Sequence, residues 1–394
     1  MEDRKLAING GTPVRTDKLA FVEPFLGQEE VEAAKAVIES GKIGGNGPQC
    51  KLFEESLEKY TGAKYALATN SCTAAFQVAS IAAKFKPGDE VIIPSFSFVS
   101  FASALVLMGV KPVFIDIEDT YLNPDYKLIE EVTTDKTRAI VVVHYAGVAA
   151  QMDEILDIAK KYNLLVIEDA AHALGSFYKG RMLGTIGDMG CYSFHATKNL
   201  TCGEGGAFVT NNDEHYRMAG YALEKGTDRS DFLKGEKKKY VWVSGGGSHV
   251  LSDILAAIAL VQLTKADFVT KKREEIAAYL TEKLKKYEPD IILPKVPDYA
   301  KSSWHIYAVR VPADKRDWVM SALKAEGISV TSHFEPLHLS PFAAEKWSYK
   351  PGDLPVTEKV CASLVRLPIY PQLSRKDLDD IVTAFDKIIP CLKK

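Results

Sequence analysis

Lys198 stands in GCYSFHATKNLTCGEGGAFVT, residues 190–210, between strand-like CYSFH and the glycine-rich GEGG turn. Most lysines are surface charges. This one is hemmed in by Phe194, His195 and small residues. A lysine desolvated at a strand end has a depressed pKa and attacks carbonyl carbons. Asp169 ends an apolar run in VIEDAAHALGS, residues 166–176. An aspartate there serves equally well as the N-cap of the next helix. Its functional reading is a buried carboxylate beside a cationic heterocycle. An amine that condenses with an aldehyde and an acid at a pyridine nitrogen are the two parts pyridoxal phosphate requires. The acid keeps that nitrogen protonated, and the charged ring takes up carbanion electrons. Only one strand unit separates Asp169 from Lys198, which puts both on neighbouring strand ends. His172 is read either with them or as a helix-face core histidine.

TNSCTAAFQ, residues 69–77, supplies a third part. A strand ends, small polar residues follow, and a helix begins. Backbone N–H groups at a helix N-terminus bind anions. Alone the signal is weak, because Ser71 or Thr73 is equally a plain N-cap. Beside a lysine and an acid on adjacent strand ends it becomes a phosphate cup. Phe98, just beyond Pro94, either stacks on a flat ring or packs in the core.

The elements that hold these residues alternate. KYALATN, EVIIP, KPVFIDI, TRAIVVVHYAG, NLLVIEDAA, GDMGCYSFH and GGAFVTN read as strands, with helical stretches such as SCTAAFQVASIAAKF and MDEILDIAKKYN between the earlier ones. Apolar runs such as AIVVV fit strands buried on both faces. The pattern is α/β, a parallel doubly wound sheet covered by helices. Ligands of such sheets sit at the carboxyl ends of the strands. Those ends carry Asn70 to Thr73, Pro94-Ser95, His144-Tyr145, Glu168-Asp169 and Ser193 to His195, so they converge on one crevice. A long helix through Asp253–Tyr287 then carries the chain into a smaller α+β unit. The expected division is 1–24 as an N-terminal segment, 25–270 as the large domain and 271–394 as the small one.

The bulk properties narrow the function further. The chain has 394 residues, 46% of them hydrophobic, and a net charge of −3. That charge argues against a strongly basic nucleic-acid binder. Six cysteines lie scattered without a CxxC pair, and no Cys/His cluster has zinc spacing, so no metal is expected and a reducing compartment is. MEDRKLAINGGTP has no apolar signal core, and Pro94 and Gly109 break the apolar window Val91–Ile115. No membrane partner and a cytoplasmic location are the expectations. No GxGxxG follows the first strand, which counts against a dinucleotide-binding dehydrogenase. The charge run from Lys234 to Tyr240 reads first as a solvated loop and second as a phosphate-facing lid.

SFHATKNLTCGEGG, VIEDAAHALGS, PSFSFVS and WHIYAVRV together resemble the DegT/StrS-type nucleotide-sugar aminotransferases, from about Pro24 to the C-terminus. HYAGVAAQMDEI, LGTIGDMGCYSFHATKN and EKGTDRSDFLKGEKKKYVW are most similar to the dTDP-4-amino-4,6-dideoxygalactose transaminase branch. The resemblance implies the aspartate-aminotransferase-like fold type I, a large doubly wound mixed-sheet domain plus a smaller α+β C-terminal domain. It implies pyridoxal 5′-phosphate as cofactor, with Lys198 as the attachment lysine, Asp169 at the pyridine nitrogen and His172 beside the 3′-oxygen. Cys72, Thr73 and Ser193 match the phosphate-holding positions, and Phe98 matches the stacking aromatic. A lysine at 198 also separates the chain from the 3-dehydratase relatives, which carry histidine there. In GGGSHVLSD, Ser248 replaces the asparagine that reaches the partner subunit's cofactor in most relatives. A homodimer with shared sites is implied. So are L-glutamate as donor and a 4-keto-6-deoxy sugar nucleotide, foremost dTDP-4-keto-6-deoxyglucose, as acceptor. A 3-amino sugar aminotransferase and a non-catalytic pyridoxal-phosphate-binding regulator are the alternatives. The nucleotide diphosphate needs cations, and Arg229, Lys225 and Lys237 to Lys239 are the candidates. His333 and His338 line the sugar pocket or are ordinary core or surface histidines.

Overall fold

The computed structural model describes residues 5–233 and 235–392. Its strands, in chain order, are β1 (Tyr65–Thr69), β2 (Glu90–Pro94), β3 (Lys111–Ile115), β4 (Thr137–Val143), β5 (Leu165–Asp169), β6 (Phe177–Tyr178), β7 (Arg181–Met182), β8 (Met189–Ser193), β9 (Gly206–Thr210), β10 (Ala300–Lys301), β11 (Tyr307–Arg310) and β12 (Leu364–Leu367). Seven of them form one sheet in the order β1-β9-β8-β5-β4-β2-β3. The run from β8 to β3 is parallel, and β9 is antiparallel to both of its neighbours. The sheet is thus mixed, as the family resemblance implies, where strand–helix alternation read alone suggests a parallel one. The segment between β8 and β9 folds as an irregular loop around Lys198 and contains no crossover helix, and a parallel return needs one.

Burial on both faces explains the apolar strands. The residues of β4 from Ala139 to Val143 are all buried. On one face Phe76 and Phe101 stack with centroids 4.4 Å apart. On the other, Phe53 meets Phe194 edge-on at 5.2 Å. Such packed apolar area is the dominant favourable term in holding the sheet.

The expected long helix is broken at Lys265. It comprises Asp253–Thr264 and Ala266–Leu284, and Lys265 Nζ pairs with Glu29 at 3.0 Å and Glu30 at 2.7 Å. Val269 packs in the large-lobe core, while Ile276 and Leu280 pack in the small-lobe core, so we place the lobe boundary at about residue 270. The small lobe is the antiparallel pair β11–β12 covered by the helices Arg316–Ala325 and Arg375–Leu392. Residues 5–24 are not separate from it. Leu6 and Leu19 are part of its core, and the buried Glu326 carboxylate accepts from Ala7 N at 2.8 Å and Val14 N at 3.0 Å. Asp116, at the end of β3, accepts from Thr357 N at 2.6 Å and Val356 N at 2.9 Å. That clasp joins the sheet to the helix Pro355–Ser363. Among the described residues no helix is long and apolar enough to cross a membrane.

Candidate active site

The strand ends open into one cavity of about 340 Å³. Cys72, Thr73, Phe98, Asp169, His172, Ser193, Lys198 and His333 all line it. The sequence reading thus places eight candidates on one surface. Phe98 is 61% exposed, a face left open towards the cavity mouth rather than buried in the core.

Asp169 and Glu168 are neighbours on β5 and point to opposite sides, as alternation along a strand demands. Glu168 is fully buried and saturated. It meets His144 Nε2 at 2.9 Å and accepts the N–H groups of Gly184, Ile186 and Gly187 at 2.6–2.7 Å. Burial pushes its pKa up, yet His144 and these donors pull it below the ordinary carboxylate value. Asp169 accepts one bond, from Ala171 N at 3.1 Å. Burial raises its pKa despite that donor and the pull of Lys198 and His144. A buried carboxylate with spare lone pairs fits a cationic N–H.

Lys198 reaches the cavity from the β8–β9 loop, anchored by its own N–H to His195 O at 2.9 Å. Burial lowers its pKa to about 8, against the opposing pull of Cys72 and Asp169. About a tenth of the amine is therefore neutral at pH 7, far more than for an ordinary lysine. His172 carries a buried Nδ1 without a hydrogen-bond partner. Burial, Lys198, His333 and Arg366 hold it well below the usual imidazole pKa, so it is neutral.

The phosphate cup forms where β1 turns into the helix Cys72–Ala82. Ser71 is the N-cap and accepts from Ala74 N at 3.0 Å. The N–H groups of Cys72 and Thr73 precede any intrahelical acceptor. Thr73 Oγ1 donates to Ser100 Oγ at 2.8 Å, which fixes its rotamer. Gly206 on β9 allows this approach, because a Cβ there would lie 2.4 Å from Cys72 N. An orphaned imidazole nitrogen, an under-used buried acid, a depressed lysine and a cup of free N–H groups fit pyridoxal phosphate.

Other candidates lie elsewhere. Ser248 bridges to Glu224, and its carbonyl accepts from Asn70 Nδ2 at 3.2 Å, away from the cavity wall. Arg229 is half-exposed and meets Glu224 at 3.4 Å, and Lys225 is exposed. Neither lines the cavity of its own chain. Lys237 is tied to Asp228, and Lys234 lies outside the described residues. His338 is a core histidine. It lies between Ser95 Oγ at 2.7 Å and Glu358 at 3.2 Å and does not line the cavity.

The cavity also has a wall that the sequence reading missed, made of Phe21, Arg273, His305 and Arg366. His305 carries a sequence signal, a histidine inside the motif WHIYAVRV. Its Nδ1 lies 3.0 Å from Asn199 Oδ1, and Asn199 Nδ2 donates to Ser303 O at 3.0 Å. Asn199 Oδ1 is thus the acceptor, His305 carries its proton on Nδ1, and its Nε2 keeps a lone pair. Arg366 had a signal too, a charge inside the apolar run LVRLPI. Arg273 had none, because KKREE reads as a solvated helix face.

Residues 24–386 match the DegT/DnrJ/EryC1/StrS aminotransferase family. The spore coat polysaccharide biosynthesis protein SpsC of Bacillus subtilis is 36% identical over 383 residues, 95% of this chain and 98% of that protein. Helicobacter pylori PseC, an aminotransferase involved in the biosynthesis of pseudoaminic acid, superposes with a TM-score of 0.87 at 29% identity, over 95% of this chain and 100% of its own. Spr1654 of Streptococcus pneumoniae, solved in its PLP form, gives 0.88 at 26% identity over 95% and 99%. Its PMP form is similar to the same extent, with a TM-score of 0.88. These neighbours are aminotransferases of the same overall fold, and the α/β architecture with its large mixed sheet is that of fold type I. The chain belongs to the DegT/DnrJ/EryC1/StrS aminotransferase family and is a pyridoxal-phosphate-dependent aminotransferase.

Proposed function

We propose that the protein is a sugar aminotransferase. It moves the amino group of L-glutamate to a 4-keto-6-deoxy sugar nucleotide, foremost dTDP-4-keto-6-deoxyglucose, giving a dTDP-4-amino-4,6-dideoxy sugar and 2-oxoglutarate. The observation that carries the reading is the set Lys198, Asp169 and His172 on one cavity wall, each with unused bonding capacity. The relatives SpsC and PseC, named for polysaccharide and pseudoaminic acid biosynthesis, support the sugar as substrate.

Bound pyridoxal phosphate supplies a protonated ring that takes up the electron pair left when the donor's Cα proton departs. Asp169 would hold the proton on the ring nitrogen. His172 would offer its buried Nδ1 to the ring's oxygen substituent. The cup at Cys72 and Thr73, with Ser193, would hold the phosphate, and Phe98 would cover the ring. Lys198 is the attachment residue. Its Nζ would take the donor's Cα proton as a general base and then, as a general acid, give it to the cofactor carbon on the far side of the nitrogen, a 1,3-shift. The same residues act in reverse when the keto sugar takes the nitrogen.

A homodimer is part of this reading. Tyr240, Val241, Trp242 and Val243 form a strip at least 46% exposed beside Arg229 and Lys225. A partner subunit covering that strip places these cations and Ser248 near the partner's cavity. The experiment that tests the function is incubation with L-glutamate and a panel of keto-sugar nucleotides, with the product identified by mass spectrometry and NMR. Amination at C4 is expected. Amination at C3 alone, or none, overturns the assignment.

A further inference from the structure

Two guanidinium groups on the small-lobe wall of the cavity have no acid to neutralise them among the described residues. Arg273, on the helix Ala266–Leu284, is 2% exposed. Its Nη1 donates to the carbonyls of Trp304 and His305 at 3.2 and 3.3 Å, and its Nε is buried without a partner. Burial and the Arg366 charge lower its pKa to about 9. Arg366 sits on β12 opposite Ala308 of β11. Its Nη1 bonds His333 Nε2, its guanidinium carbon lies 4.9 Å from the centroid of the Phe21 ring, and its Nε is also buried without a partner. Among the described residues no carboxylate contributes to the field at either group.

His333 does not balance the charge. Burial, Arg366 and Lys198 push its pKa down to about 2, so it is a neutral acceptor. It fixes the guanidinium without cancelling it, and Phe21 does the same from the ring face. An uncompensated buried cation is costly, and two facing one cavity repel each other. The missing term is an anion that enters with a ligand. A planar guanidinium with free N–H groups matches a carboxylate.

We propose that Arg366, backed by Arg273, is the carboxylate-binding group of this active site, and that the carboxylate is the amino donor's. This rests on the aminotransferase reading above. The phosphate cup is built by β1 and the helix Cys72–Ala82 in the large lobe, so the cofactor's phosphate has its own site. Arg366 and Lys198 line the same cavity, so the guanidinium borders the space in which Lys198 would move the donor's proton. The donor's carboxylate is attached to the carbon that carries this proton. A sugar nucleotide bearing a carboxylate offers the same chemistry, and the experiment separates the two.

The test uses Arg366→Gln and Arg366→Lys in the holoenzyme. Glutarate, an unreactive dicarboxylate, is titrated by calorimetry. The KM for L-glutamate and the KM values for a neutral and a carboxylated keto-sugar nucleotide are measured beside it. Cofactor absorbance and Tm report integrity. In Arg366→Gln, glutarate binding weakens by about 30-fold or more. The glutamate KM rises in parallel, and the neutral sugar KM and cofactor content stay unchanged. Arg366→Lys loses less, since it keeps the charge without the planar fork, and it carries the test should the glutamine variant fail to fold. Unchanged glutarate affinity in a folded, cofactor-loaded variant overturns the proposal. Loss of cofactor with normal glutarate binding does so too, by assigning the arginine to phosphate. A rise only in the KM for the carboxylated sugar overturns the donor assignment and gives the site to the sugar. Glutarate binding does not depend on which keto sugar is aminated, so a wrong acceptor leaves this readout standing.

Discussion

The two walls of the cavity satisfy their charges differently. On the large-lobe wall, Asp169 and Lys198 are opposite in sign and close enough to perturb one another. On the small-lobe wall, Arg273 and Arg366 are like charges held by neutral groups, two carbonyls and an imidazole. The first arrangement is suited to moving a proton, because burial disfavours the charged form of both groups. The second is suited to recognition, because its charges are fixed and wait for a counter-charge. The expectation is a division of labour. Changes on the large-lobe wall should alter rate in both half-reactions, and changes on the small-lobe wall should alter donor affinity.

The largest break in that comparison is Lys198→Ala. It should abolish turnover in both half-reactions while leaving pyridoxamine phosphate binding intact, measured by stopped-flow absorbance and equilibrium dialysis. A near-normal rate would remove the lysine from the chemistry. Next comes the adjacent pair on β5. Asp169→Asn should lower the rate by about 10² to 10⁴-fold with Tm nearly unchanged. Glu168→Gln should do the reverse, costing about 3 kcal/mol of stability because it breaks a buried pair and sets amide donors against backbone donors. Denaturant melts and half-reaction rates on the two variants separate the roles. Equal Tm losses would mean that Asp169 is structural as well.

The large-lobe wall was legible in the sequence, and the small-lobe wall was not. Strand ends are marked by apolar runs that stop abruptly, so Asp169, Ser193 and the Ser71 to Thr73 turn announce their own positions. Topology then forces them together at one edge of the sheet. Lys198 was legible from its neighbours, though not the reversal of β9 that follows it, since an antiparallel strand reads like a parallel one in five residues. The small-lobe residues come from the N-terminal segment, a helix, the short strand β12 and the bend before β11, joined by long-range packing that leaves no local pattern. Phe21 is the extreme case. The segment holding it lies against β12 only because Leu19 pairs with Ile328 and Glu326 clasps Ala7 and Val14. DIILPKV and ISVTSHF are strand-like in composition but make only isolated bridges, at Ile292, Ile328 and Thr331.

A smaller effect tests whether the walls are coupled. Attachment of pyridoxal phosphate to the apoenzyme requires a neutral Lys198 amine, whose pKa is lowered to about 8. The group is depressed, so the reactive fraction grows as pH rises. The reconstitution rate should climb about tenfold per pH unit below that midpoint and level off above it. Arg366 is among the groups holding the lysine down. Arg366→Gln should therefore shift the midpoint upward, read from borohydride-fixed label against pH. An unmoved midpoint would make the walls electrostatically independent.

The smallest effect expected comes from Arg229, which belongs to neither wall of its own chain. Its guanidinium is half-exposed and loosely paired with Glu224, so its removal should cost little stability. In the dimer reading it serves the diphosphate of a sugar nucleotide bound in the partner's cavity. Arg229→Ala should then raise the sugar-nucleotide KM by about tenfold, the worth of one charge-assisted hydrogen bond. The glutamate KM should not move, because the donor carries no diphosphate. That split is the opposite of the one expected for Arg366, and a single kinetic matrix of two variants against two substrates reads both. If neither KM changes, the loop carrying Arg229 has no part in substrate binding. Should both rise together, the residue acts on the dimer itself, and sedimentation of the variant would show a weakened dimer.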